Sequence, residues 1–194
     1  METITPNTED IKSAIKALLI AIGENPDRDG LKGTPDRIVR MWKEIFRGYD
    51  PAQKPKITTF PNEEGISDLV FDTGDYYSMC EHHILPFFGK YYFAYIPNPK
   101  GRILGISKVA RVVGYCAARL QLQERLARDI VNMLSDALND DALGFAIVMR
   151  GKHLCKTMRG VRNDGNMSVA HFTGLFEKNP ALKREFYKLI DLQT

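Results

Sequence analysis

Two short segments rich in cysteine and histidine restrict the fold of this chain more than any other feature of its sequence. The first is Cys80-Glu81-His82-His83, and the second, far along the chain, is His153-Leu154-Cys155. They hold five of the seven cysteine and histidine residues in the chain. Thiolates and imidazoles are ligands that zinc and related metals prefer. This concentration predicts a fold that brings the two segments together around one metal ion.

Cys80, His83 and Cys155 form the predicted ligand set. A Cys and a His three residues apart can reach one metal ion from a single turn, and Cys155 supplies a third soft ligand. Structural zinc sites usually have four protein ligands, whereas hydrolytic sites leave the fourth position to a water molecule and lower its pKa to about 7. A set of three ligands therefore indicates zinc-dependent hydrolysis.

His82 and His153 are the residues that we expect to transfer protons at this site. If the chain is extended at His153, its side chain and that of Cys155 leave the same face of the strand. Histidine gives and takes protons near neutral pH, which suits it to serve a reacting water molecule. Each segment also has a plainer explanation, because a lone cysteine is commonly a core residue and adjacent histidines can simply lie on the surface.

Composition and charge exclude several classes of protein. With 194 residues the chain can form one domain, with or without a small appendage. A net charge of +3 is too low for a nucleic-acid binder but suits a local anion site. No apolar run approaches the roughly 20 residues of a membrane span, and a signal sequence is lacking, so we expect a cytoplasmic protein with no membrane partner. The odd number of cysteines argues against a disulfide framework, and Cys116 is predicted to be a core thiol.

The order of the predicted elements indicates an α+β fold. Residues 1–50 are predicted to form an N-terminal helical region, residues 51–67 a linker, and residues 68–194 the catalytic domain. Within this domain strands come first, two helices follow, and strands return. A turn at Thr73-Gly74-Asp75 is expected to separate two short strands, and the aromatic residues of 91–96 predict a strong strand.

A helix predicted to begin at Ser107 carries two cations, Lys108 and Arg111, in its first turn. The helix macrodipole makes each cation there unfavourable by about a few tenths of a kcal/mol. A bound phosphate would relieve this, since the free backbone N–H groups, the Ser107 hydroxyl and both basic side chains can contact it. Arg159, just beyond the second metal segment, is a further candidate for the same anion. The alternative is that both cations project into water.

Gln123 and Glu124 open the second predicted helix and suggest recognition of a base. A carboxylate can accept two parallel hydrogen bonds from the N1–H and the exocyclic amine of guanine, a donor pair that adenine lacks. The alternative is ordinary electrostatics, since a glutamate in a first helical turn is favoured by the macrodipole.

Together these segments make the chain resemble the GTP cyclohydrolase I family. The matching segments occur in the order of the family and cover nearly the whole chain. They are residues 23–31 (GENPDRDGL), 34–37 (TPDR), 78–83 (SMCEHH), 105–111 (GISKVAR), 121–126 (QLQERL), 153–155 (HLC) and 158–161 (MRGV).

The resemblance implies a role for each candidate residue. Zinc is held by Cys80, His83 and Cys155, and protons are moved by His82 and His153. Guanine is bound by Glu124 with Gln123, and ribose and triphosphate are bound by Ser107, Lys108, Arg111 and Arg159.

The resemblance also implies a reaction and a fold. The family adds water at C8 of GTP, opens the imidazole ring, releases C8 as formate, and rearranges the ribose to give 7,8-dihydroneopterin triphosphate, the first step of folate and pterin biosynthesis. Its tunnelling fold is an antiparallel sheet with helices on one face that closes into a multi-subunit barrel, here preceded by an N-terminal helical segment. We therefore expect a homo-oligomer, a decamer of two pentameric rings, in which barrel closure protects the sheet edges.

One segment departs from the family pattern. Where the family usually carries a run rich in serine and threonine, residues 166–173 read NMSVAHFT, which weakens hydroxyl contacts to phosphate or to a neighbouring subunit. Two other functions stay open: a catalytically silent, zinc-stabilised oligomer, and a tunnelling-fold enzyme acting on another purine or pterin. A silent relative would be expected to lose His82, His153 or Glu124, and all three are present.

Overall fold

The chain divides into two structural units, the first ending at Arg47 and the second beginning at Gly48. The structure is a computed structural model that describes residues 7–139 and 141–193. The first unit contains helices α1 (Thr8–Ala21) and α2 (Thr34–Ile45), and the side chain of Asn7 caps α1 by accepting a hydrogen bond from the backbone of the second residue after it.

The second unit contains the sheet and the remaining helices. Short 3-10 turns at Arg47–Tyr49 and Pro51–Gln53 lead into it. Its elements are, in chain order, β1 (Thr59–Pro61), β2 (Val70–Cys80), β3 (Pro86–Ile96), β4 (Arg102–Leu104), α3 (Ser107–Ala117), β5 (Leu120–Gln121), α4 (Gln123–Ala137), β6 (Gly144–His153), α5 (Leu154–Thr157), β7 (Met167–Phe172), α6 (Leu175–Lys178) and α7 (Pro180–Asp191). The fold class is therefore α+β, as predicted.

Five strands form one sheet in the order β5-β2-β3-β6-β7, and β1 pairs with β4 in a separate ribbon. Neighbours in the larger sheet are antiparallel except for the short β5, which runs parallel to β2. The register places Met79 opposite Pro86 and Phe87 opposite His153. The last residues of β2 and β6 consequently lie at the same end of the sheet.

The predicted turn at Thr73-Gly74-Asp75 is wrong, because β2 continues through it. Gly74 pairs with Tyr91, and a side chain at Gly74 would meet the Tyr91 ring at 2.9 Å. The phenol of Tyr91 in turn donates a 3.0 Å hydrogen bond to Asp72. The glycine thus admits a cross-strand aromatic ring rather than a change of chain direction.

Apolar side chains cover both faces of β3. Tyr91, Phe93 and Tyr95 pack against α3 and α4, whereas the alternate residues Tyr92 and Ala94 pack in a second cluster with residues of α6 and α7. The expectation of helices on one face is therefore wrong, since the C-terminal helices bury the opposite face. Each large apolar side chain fully buried in such a layer contributes about 1.5–3 kcal/mol, which favours this two-sided arrangement.

The segment 51–67, predicted as a linker, contains β1. Arg102 fixes this strand to β4 by donating hydrogen bonds to the hydroxyl and the carbonyl oxygen of Thr59, at 2.8 and 2.9 Å. The division into 1–50, 51–67 and 68–194 stays a prediction. Among the helices that the structure describes, none is long and apolar enough to cross a membrane.

We expect Gly89→Ala to destabilise the second unit by about 3 kcal/mol, the upper end of overpacking effects, because the new methyl group would lie 1.9 Å from the backbone oxygen of Arg150. Backbone on the paired strand cannot yield without breaking the β3–β6 register. Denaturant unfolding followed by circular dichroism measures the loss. Gly33→Ala is the control, because its methyl group would meet only the flexible guanidinium of Arg37, at 3.5 Å or more. Equal stability of the two variants would contradict the register.

Candidate metal and active centre

Three soft donor groups meet at the end of the sheet where β2 and β6 finish. Cys80 is the last residue of β2, His83 lies in the following turn, and Cys155 lies in α5. One ligand atom from each residue lies within 4.8 Å of the others, and the two sulfur atoms are 3.9 Å apart. All three cysteines are free thiols. This group fits a metal ion by its donor chemistry and spacing, and the predicted ligand set is brought together.

The turn between β2 and β3 sets the position of His83. The backbone N–H of Cys80 donates to Leu85 O and that of Ile84 donates to Cys80 O, both at 2.9 Å. Ile84 adopts φ 53°, a left-handed conformation that is costly for a β-branched residue. Such local strain persists only where surrounding contacts impose it. The contacts around Ile84 therefore hold this tight turn in one conformation.

Glu81 joins this turn to the start of α4. Its carboxylate pairs with Arg125, which also donates to Gln121 Oε1 at 2.8 Å. The backbone N–H of Glu81 donates to Gln121 O at 3.2 Å. Neither Glu81 nor Arg125 is assigned a role from the sequence, although both belong to the matching segments. The contact depends on tertiary structure, and only their opposite charges hinted at it.

The chain is not extended from His153 to Cys155, so the condition under which both side chains would leave one face of a strand is not met. Strand β6 ends at His153, and Leu154 begins the short helix α5, so Cys155 leaves a helical turn. Cys155 nevertheless reaches Cys80. Burial raises the pKa of the Cys155 thiol, and the neighbouring Cys80 raises it further. The Cys155 thiol is therefore harder to ionise, and a bound cation would favour its thiolate form.

His82 and His153 both lie at this centre. His82 is exposed, and its Nδ1 is 3.9 Å from the sulfur of Cys80. His153 is partly buried and stacks on Phe87, with ring centroids 4.5 Å apart and planes 7° from parallel. Burial lowers the pKa of His153, an effect that the Glu124 carboxylate partly opposes. The buried ring is therefore held toward its neutral form near pH 7, where it can accept a proton.

Gln123 and Glu124, adjacent in the first turn of α4, have opposite environments. Gln123 is 0% exposed, and its Nε2 donates to Met149 O at 2.8 Å and to Met167 O at 3.2 Å. Its Oε1 is 2.7 Å from Nε2 of His153. Glu124 is exposed. The Glu124 carboxylate is therefore open to a ligand, whereas the Gln123 amide is occupied by protein groups.

Ser107, Lys108 and Arg111 are not brought to the metal group within one chain. The C-terminal end of α3 lies near the end of β2, where the Ser78 hydroxyl donates to Ala117 O at 2.7 Å. With a rise of about 1.5 Å per residue, Ser107 lies about 15 Å further along the helix axis. The start of α3 has no side-chain cap, because the cap position is Ile106, whose apolar side chain cannot accept a hydrogen bond, and Ser107 is already the first helical residue.

Arg159 is brought to the centre, and Cys116 is not. Nη1 of Arg159 lies 3.1 Å from Nε2 of His83. Cys116 is 1% exposed in the core, and burial raises the pKa of its thiol to about 12, so the predicted role as a core thiol is confirmed.

Phe87 supports His153 and was not selected from the sequence, since only the β3–β6 register reveals that stacking.

Comparison with known proteins identifies a family. The family model described as GTP cyclohydrolase I matches residues 11–191. The chain is 45% identical over 184 residues to GTP cyclohydrolase 1 of Caldanaerobacter subterraneus subsp. tengcongensis, with 94% of this chain and 96% of that one covered. It is 44% identical over 187 residues to GTP cyclohydrolase 1 of Clostridium perfringens, with 95% and 98% covered.

A solved structure also aligns with this chain, at 21% sequence identity. It is the archaeosine synthase QueF-Like in the apo form, with a TM-score of 0.41 over 55% of this chain and 93% of that one.

We expect the purified protein to hold one divalent metal ion per chain and Cys155→Ser to lose it, because a thiolate would be replaced by a weakly binding hydroxyl. Mass spectrometry of the metal content after gel filtration measures the occupancy. His82→Ala is the control and should keep the ion, since His82 lies outside the ligand group. Full occupancy in Cys155→Ser would contradict the assignment.

Proposed function

Because this chain belongs to the GTP cyclohydrolase I family, we propose that it converts GTP and water to formate and 7,8-dihydroneopterin triphosphate, the first step of folate and pterin biosynthesis. One observation carries the proposal beyond family membership: three metal-ligand candidates and two histidines occupy the same end of one sheet. This is the combination that a hydrolytic metal centre requires. A cytoplasmic location remains the prediction.

Zinc is the metal that we propose for Cys80, His83 and Cys155. Two thiolates and one imidazole match its preference for sulfur and nitrogen ligands, and a three-residue set is typical of catalytic rather than structural zinc. When bound, zinc supplies the Lewis acidity that activates water for attack on the substrate.

His82 and His153 are proposed to move the protons that opening of the imidazole ring demands. Their environments differ, since His82 is exposed and His153 is packed against Phe87 with a lowered pKa. Two groups with different environments suit two roles, a proton donor and a proton acceptor. Of the two, His153 is the better positioned to accept a proton, because its stacked ring is held in one orientation.

Glu124 is proposed to bind the guanine base. It lies exposed at the start of α4, next to the residue that contacts His153, and its charge acts on His153. A guanine whose N1–H and amine meet this carboxylate would therefore lie beside the proposed proton-transfer residue.

Ser107, Lys108, Arg111 and Arg159 are proposed to bind ribose and triphosphate. Arg159 lies at the metal group of its own chain, whereas the start of α3 lies about 15 Å along the helix from the end of β2. We propose that a neighbouring subunit supplies Ser107, Lys108 and Arg111 to each centre. In a site that spans a subunit interface, one triphosphate could contact Arg159 of one chain and the cations at the start of α3 of another.

The proposed assembly is a homodecamer with the tunnelling fold, in which sheets from several subunits close a barrel. The described sheet has β5 and β7 at its edges, and an open edge strand offers unpaired backbone groups to another chain. Strand β7 covers most of residues 166–173, the segment that departs from the family pattern. We propose that this segment contributes to subunit pairing rather than to phosphate binding.

The function is tested by incubating zinc-loaded protein with GTP and following formate and pterin products together. Glu124→Ala should lower kcat/KM for GTP by about 100-fold or more, because the donor pair of guanine would lose its acceptor, while ATP stays a non-substrate for both proteins. Glu185→Ala is the control, because it removes an exposed carboxylate from α7. Formate without a pterin product, or no reaction at all, would contradict the proposal.

Shared centres are tested by mixing two inactive variants. Subunits with Cys80→Ser and subunits with Arg111→Ala, unfolded and reassembled together, should regain part of the parent activity, because some interfaces then combine an intact metal group with an intact Arg111. Each variant reassembled alone is the control. No recovery in rings proven to be mixed by mass spectrometry would place both residues in one chain's centre.

A further inference from the structure

The buried amide of Gln123 has its orientation fixed by two backbone carbonyl groups. Met149 O and Met167 O lie 2.8 and 3.2 Å from one end of the amide, and a carbonyl oxygen can only accept. That end must therefore be the NH₂ group. The oxygen Oε1 then points to His153, at 2.7 Å from its Nε2. The usual ambiguity of a glutamine amide is removed by these contacts.

This orientation dictates which nitrogen of His153 carries hydrogen. An amide oxygen is an acceptor only, so the 2.7 Å contact is a hydrogen bond only if Nε2 of His153 is the donor. In the neutral ring the hydrogen then lies on Nε2, and Nδ1 keeps its lone pair. Since Gln123 is 0% exposed, bulk solvent does not reach this hydrogen bond.

Aromatic side chains packed around His153 hold its ring in the same orientation. Phe87 stacks on the His153 ring at 4.5 Å, and Tyr76 packs edge-on against Phe87. Gly151 leaves room for this group, because a side chain there would lie 2.2 Å from the Tyr76 hydroxyl and 3.1 Å from Oε1 of Gln123. The ring is thus fixed by stacking on its face and by a hydrogen bond at its edge.

We propose that Gln123 is a positioning residue that holds His153 in the Nε2–H tautomer, so that Nδ1 is the nitrogen that exchanges protons with the substrate. This rests on the proposed function for the exchange itself, but the tautomer follows from the hydrogen bonds alone. The two adjacent residues would then have different roles: Glu124 is exposed and is the proposed contact for guanine, whereas Gln123 contacts the ring of His153. The general principle is that a partner to one imidazole nitrogen sets the chemistry of the other.

The first test reads the tautomer in the zinc-loaded parent protein, without any variant at Gln123. Solid-state NMR of protein labelled with ¹⁵N-histidine distinguishes Nε2–H from Nδ1–H, and the resonances of His153 are assigned by their loss in His153→Gln. The chain has only four histidines, so the spectrum is simple. We expect Nε2–H. A protonated Nδ1 with bare Nε2 in the neutral ring overturns the proposal, whether or not the protein acts on GTP.

The second test replaces the amide. Gln123→Met removes the acceptor at similar volume, so the two tautomers of His153 should mix and kcat should fall by about 10–100-fold, while KM for GTP changes little because Glu124 is intact. Burial favours the protonated form of a glutamic acid at this position, so Gln123→Glu can keep one donor toward Met149 O and an oxygen toward Nε2. It should therefore restore the Nε2–H form and part of kcat. A pure Nε2–H tautomer in Gln123→Met, or an unchanged kcat, overturns the positioning role.

Gln121→Met is the matched control for loss of a buried amide. Gln121 is 1% exposed and uses its amide fully, donating to Cys116 O and Asp129 and accepting from Arg125. Replacing Gln121 removes as many buried hydrogen bonds as replacing Gln123 does, but it leaves the contact between Gln123 and His153 in place. We expect lower stability with the Nε2–H tautomer retained. Tautomer mixing in this control as well would attribute the effect to general loosening and overturn the specific role of Gln123.

Discussion

The pairing of β3 with β6 is the contact on which the centre depends. Its register sets Phe87 opposite His153, while the turn between β2 and β3 returns the chain from Cys80 to the start of the same β3 strand. Both cysteine–histidine segments are thereby attached to one strand. A shift of one residue would turn each side chain of β6 to the other face of the sheet and remove His153 from Phe87. Gly89, enclosed by the backbone of β6, makes such a shift costly.

Partial burial favours the neutral forms of Cys155 and His153 at the centre. Cys80 and Cys155 place two sulfur atoms 3.9 Å apart, and burial together with this contact raises the pKa of Cys155. A metal ion must displace the thiol protons, so metal binding is expected to weaken as the pH falls. His153 has the opposite tendency, since burial lowers its pKa and disfavours the charged imidazolium. Partial burial thus favours the neutral form of both groups: the Cys155 thiol loses its proton only when a cation binds, and the His153 imidazole stays able to accept a proton.

A single chain supplies only some of the residues proposed for the centre. Metal-ligand candidates, both histidines, Glu124 and Arg159 gather at one end of the sheet, but the cations at the start of α3 do not. Helix α3 cannot bend to bring them closer, because its apolar face is fixed in the core through Val109, Val112 and Val113. Because α3 is rigid and its cations lie away from the metal group, we propose that another subunit completes the centre.

The sequence predicts the ligand set Cys80, His83 and Cys155 from residue type and spacing, and the structure brings these three residues together. The sequence also determined the α+β class, because strand and helix periodicities follow from local patterns. Tertiary structure alone decided that Gly74 lies within a strand, that helices cover both faces, that Cys155 leaves a helical turn, and that Gln123 faces His153 rather than solvent. Each of these depends on contacts between residues distant along the chain, and such contacts leave no periodic pattern in the sequence. Residue type fixes what a side chain can do, whereas strand register and packing fix what it meets.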